Sequence, residues 1–136
     1  MVYGMKPRWL SVLAILICVE SISNQFHDHF IKDSEKYKQK LENDIANCIP
    51  QNAKIVMVSS ANPQELYLIH RSGWTVFPEQ VKTEADWNRL RNLGAQYVVI
   101  NEAVIKNSKF EDAVIEQACK WPMIFGNDDY LIFKLM

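Results

Sequence analysis

Hydrophobic positions follow two regimes along this chain. From Trp9 to Val19 they run almost unbroken behind Lys6 and Arg8, and from Ser34 onward they recur with the periods of helices and strands. The eleven-residue run has the length of a signal-peptide core, whereas a membrane span takes about 20 mostly apolar residues. Extension through Phe26 predicts a spanning helix, with Trp9 and Phe26 at the two interfaces and Glu20 toward one end. No small-x-small cleavage pattern follows, so residues 1–26 read as a retained transmembrane anchor with its apolar core at 9–19. A buried first helix of a soluble protein is the other reading.

Residues 27–136 read as one α/β domain. Tyr37, Leu41, Ile45 and Cys48 recur at helical spacing, and Pro50 ends that helix. Lys54-Ile-Val-Met-Val58 is then a continuous apolar run, the pattern of a strand buried on both faces. A short helix from Pro63 through His70, closed by Gly73, precedes strand formers at Trp74–Phe77. Thr83 and Asp86 form an acidic capping box, and Gly94 suits the position just past that helix. Gln96–Ile100 is a second central strand, and Ser108 with Glu111 predicts a further capped helix. Trp121–Phe125 and Tyr130–Leu135 flank a turn at Gly126-Asn-Asp-Asp129. The order α-β-α-β-α-β-α-β-β predicts a three-layer, mostly parallel sheet with a C-terminal antiparallel hairpin, preceded by one N-terminal transmembrane helix.

Composition narrows the function classes. A net charge of −1 supplies no field for nucleic acid, and none is expected as a partner. Cys18, Cys48 and Cys119 are far apart and match no metal spacing. Cys48 and Cys119 each fall near a predicted helix end, where pairing is conceivable, but two free thiols are the simpler expectation. The expected location is the cell inner membrane, single-pass, with the domain extracytoplasmic. Lys6 and Arg8 before the run are matched by lysines after it, so charge alone leaves the orientation open.

Candidate chemistry is sparse, and no catalytic residue, metal site or cofactor is expected. His27-Asp28-His29 is the one His/Asp cluster, but residues two apart on a helix point in different directions, and no further ligand is identifiable. Pro63–Trp74 is the densest stretch, with Glu65, Tyr67, His70 and Arg71 following a strand's carboxyl end, where open α/β sheets bind ligands. His70 and Arg71 are the candidate ligand-binding residues, suited to a sugar or lipid phosphate. The loop Ser59-Ser-Ala-Asn62 lacks any phosphate-cradling glycine pattern. Asp128-Asp129 reads as turn chemistry rather than as paired glycosidase acids.

Three segments taken together, Leu66–Thr75, Leu90–Ile100 and Phe125–Leu135, resemble the C-terminal extracytoplasmic domain of bacterial GT-C membrane glycosyltransferases. These enzymes are similar to protein O-mannosyltransferases and the lipid A aminoarabinose transferase, and use polyprenyl-phosphate-linked sugars. The resemblance covers residues 9–136, with the apolar run matching the family's last membrane helix. It implies a non-catalytic domain of, or accessory to, such an enzyme, because the catalytic loop among the membrane helices has no counterpart in this chain. Its implied partners are the lipid bilayer and a glycosyltransferase membrane core. The rival expectation is an independent membrane-anchored ligand-binding or sensor module using Ser59, Ser60 and Arg71.

Overall fold

The computed structural model describes residues 7–29 and 35–135, with side chains described for 9–25 within the first stretch. The chain divides into two units, Met1–Lys36 and Tyr37–Met136. In the first, helix α1 spans Pro7–His29. Its apolar residues occupy successive positions, and at about 3.6 residues per turn they surround the helix instead of forming one stripe. Nine large apolar side chains between Trp9 and Ile22 are exposed. Among the described residues no helix is long and apolar enough to cross a membrane. The expected transmembrane helix is therefore not supported: the core from Trp9 to Val19 rises roughly 16 Å, against a hydrocarbon layer of about 30 Å. Beyond it Glu20, Ser21, Ser23, Asn24 and Gln25 dilute the apolar character.

The second unit is the expected α/β domain. Its elements are α2 (Lys38–Cys48), β1 (Lys54–Val58), α3 (Gln64–Leu68), β2 (Ser72–Val76), α4 (Glu84–Asn92), β3 (Tyr97–Asn101), α5 (Glu102–Lys106), α6 (Glu111–Ala118), β4 (Met123–Gly126) and β5 (Tyr130–Lys134). The five strands form one sheet in the order β2-β1-β3-β5-β4. β1 is parallel to both β2 and β3, while β5 runs antiparallel to β3 and β4. The first three strands are parallel and the C-terminal hairpin is antiparallel, as expected, which makes the sheet mixed. The hairpin folds back so that β5, not β4, joins β3. The reason lies in the residues: Tyr130, Ile132 and Phe133 are buried, whereas Met123 and Ile124 are exposed and suit an edge.

Alternation along the strands builds a core on each face. Ile55, Met57, Val99 and Ile132 pack with Leu41, Ile45 and Ile49 of the α2 segment and with Leu66 and Ile69 of the α3 segment. Val56, Val58, Val98, Ile100 and Phe133 pack with Trp87 and Leu90 of α4, Ile105 of α5, and Val114 and Ala118 of α6. Placing α3 and α4 on opposite faces is what right-handed crossovers require when β2 and β3 flank β1 on opposite sides.

Local chemistry sets the boundaries. Thr83 Oγ1 accepts from Asp86 N at 3.4 Å while Thr83 N donates to Asp86 Oδ2 at 3.1 Å, the expected reciprocal cap of α4. Gly94 takes φ 95° just past that helix. Gly73 departs from expectation. It lies inside β2 against Ile55, where a Cβ would fall 1.8 Å from the Ile55 carbonyl oxygen. His70, at φ 50°, makes the turn after α3 instead. Ser108 accepts from Phe110 N at 3.1 Å and so forms a local turn in place of the expected cap with Glu111.

Candidate functional site

The connection leaving β1 leads through α3 to β2 at one edge of the sheet, and that leaving β3 leads through α5 and α6 to β4 at the opposite edge. The crevice between the carboxyl ends of β1 and β3 is therefore the topological switch point, where open α/β sheets bind ligands. Ser59 follows Val58, which pairs with Ile100, so Ser59 stands level with Asn101. By strand alternation both side chains belong to the α2/α3 face.

These residues are at the heart of a buried polar cluster. Ser59 is 1% exposed, and Glu65 and Asn101 are each 5% exposed. Asn101 Nδ2 donates to Tyr37 Oη at 2.8 Å and to Glu65 Oε1 at 3.0 Å, and Tyr37 Oη donates to the same carboxylate oxygen. Asn101 Oδ1 accepts from Val104 N at 3.2 Å, which caps α5 and fixes the amide's orientation. Glu65 Oε2 and Ser59 Oγ have no hydrogen-bond partner in the protein. Buried polar atoms are satisfied in the great majority of cases, so the two orphaned oxygens near the switch point make it the candidate site.

Each part follows from local sequence. Asn62 Oδ1 accepts from Gln64 N at 3.0 Å and starts α3, which turns Glu65 and Leu66 inward. Tyr37 immediately precedes α2 and shares its inward face with Leu41 and Ile45. Asp44 of the same helix accepts from Tyr130 Oη, and Phe125 stacks on the Tyr130 ring with centroids 5.8 Å apart. Burial, and then the Asp44 carboxylate, hold the Tyr130 hydroxyl well above the ordinary phenol range.

His70 and Arg71 lie elsewhere. Both precede Ser72, which pairs with Lys54, and so stand at the amino ends of the parallel strands. Arg71 Nη2 donates to Ile49 O at 3.0 Å and Nη1 to Ile69 O at 3.2 Å, so the guanidinium ties the end of α2 to the end of α3. His70 Nε2 is 3.5 Å from Glu42 Oε1, with both side chains mostly exposed. The two residues line an open depression of about 510 Å³ with Glu42, Asn47 and Pro50. Ser59, Ser60 and Arg71 are not brought together.

The side chains of His27, Asp28 and His29 lie outside the described residues. Among those described, no group of three or more His, Cys, Asp or Glu could hold a metal. Asn127 Oδ1 accepts from Asp129 N and Tyr130 N, both at 2.9 Å, so the 126–129 segment is turn chemistry as expected. Cys48 and Cys119 are free, on helices packed against opposite faces of the sheet. Sequence reasoning missed Asn101 and Tyr37 as site residues. The available signal was a polar residue ending a fully apolar strand run, Val98-Val-Ile-Asn101. No family model, curated protein or solved structure matches this chain.

Proposed function

We propose that the protein is a non-catalytic accessory domain of a membrane glycosyltransferase that uses polyprenyl-phosphate-linked sugars, held at the cell inner membrane by α1 with its α/β unit on the extracytoplasmic side. The observation that carries the tethering is the helix with apolar side chains exposed on all sides. Leaving a large aliphatic or aromatic side chain in water costs about 1.5–3 kcal/mol relative to burial. Nine of them on one helix favour transfer into lipid or against a membrane partner. The accessory role is supported by the three-segment resemblance.

The full chain should float with phospholipid vesicles, and Ile15→Lys with Leu16→Lys should abolish flotation. Flotation unchanged by both lysines refutes tethering by α1. Incubated with a polyprenyl-phosphate sugar and acceptor, the purified full chain should transfer nothing, and measurable turnover refutes the non-catalytic assignment.

A second reading, a ligand-binding module, is favoured by one observation: the buried cluster with two unpartnered oxygens at the switch point. On this reading its binding residues are Ser59, Glu65 and Asn101.

A further inference from the structure

We infer that the crevice between β1 and β3 is a binding site for a monovalent cation, with Glu65 as its counter-ion and Ser59 Oγ as a neutral ligand. This rests on the ligand-binding reading above and adds the chemistry of the ligand. Glu65 is 5% exposed, and among the described residues no basic side chain pairs with it. An ionised carboxylate removed from water is expensive unless it is paired. Tyr37 and Asn101 both bond Oε1 and supply only neutral donors, leaving Oε2 without a partner.

The donor set selects the ion. Both unpartnered atoms are oxygen, Glu65 Oε2 and Ser59 Oγ. Hard oxygen ligands suit alkali and alkaline-earth cations over the softer transition metals. One carboxylate balances one positive charge, whereas divalent sites of the calcium type recruit several carboxylates. Burial of Ser59 and Glu65 favours a compact occupant, an ion of the size of potassium or ammonium. The same chemistry is offered by an inorganic cation and by the ammonium group of a small organic ligand.

The test is thermal unfolding of the full chain in potassium, ammonium, methylammonium or tetramethylammonium chloride at matched ionic strength. Potassium or ammonium should raise the midpoint in a saturable manner, and tetramethylammonium, which is too large and has no N–H, should not. Stabilisation by potassium identifies an inorganic ion, and stabilisation by ammonium and methylammonium without potassium identifies an organic ammonium group. Glu65→Gln should weaken the half-saturating concentration about tenfold or more, the effect of losing a charged partner. Ser59→Ala, a small change that leaves the fold intact, should weaken it several-fold and keeps the test decisive should Glu65→Gln fail to fold. Equal responses to all four salts, or a selective response unchanged in Ser59→Ala, overturns the inference. Selective binding of a neutral probe such as methyl glucoside, lost in Glu65→Gln, with no cation effect also overturns it while leaving the ligand-binding reading standing.

Discussion

Tyr130 shows how a single residue ties the last strand to α2. Its hydroxyl is raised above the ordinary phenol value first by burial and then by Asp44. In the unfolded chain the phenol loses its proton at about pH 10. Its contribution is therefore complete below about pH 10 and is lost as the pH rises further, because only the unfolded chain then releases the proton. Urea midpoints of the wild type should fall from about pH 9 to about pH 11, and Tyr130→Phe should flatten that slope. Equal slopes would mean that the hydroxyl titrates alike in both states. Gly73→Ala should be severe, since the new methyl meets backbone rather than a movable side chain, 1.8 Å from Ile55 O. A loss of about 3 kcal/mol or more is expected by urea unfolding. At this scale the sequence was least legible. Arg71 donates to carbonyls released by helix ends, partners that only tertiary folding places. Glu65 stood in the same stretch, and its burial depends on Tyr37 and Asn101, 28 and 36 positions away.

Elements were read more successfully because their causes are local. The Thr83–Asp86 box and Gly94 bracket α4 as their chemistry requires, and Thr83→Ala should cost about 1 kcal/mol in chemical denaturation. The strand candidates at 54–58 and 96–100 became the two inner parallel strands, Lys54–Val58 and Tyr97–Asn101. Errors arose where two signals competed. Gly73 suits a helix terminus as well as a strand crossing, and only the Ile55 backbone beside it decides between them. α5 escaped notice because a five-residue helix has too few turns to show a period. The face of α2 is testable in the same terms: Ile45, fully buried against β1 and β3, should cost about 2–5 kcal/mol when replaced by alanine. A neutral outcome would mean that α2 does not close that side of the sheet.

At the scale of the whole chain, three layers around one sheet were foreseeable from alternating helices and buried strands, whereas the strand order was not. The hairpin adds to one edge, but it is its second strand, not its first, that sits inside next to β3. The α/β unit, Tyr37–Met136, holds both cores among its own residues. A chain beginning at residue 35 should therefore unfold cooperatively, with a midpoint within a few degrees of the full-length protein. Loss of cooperativity would place part of the fold's stability in α1. The interior position of β5 also bears on biosynthesis. Until residues 130–134 emerge from the ribosome, β3 offers an open backbone edge and both apolar layers lack their closing strand. Any chain lacking these residues therefore presents that edge and those layers to chaperones and proteases.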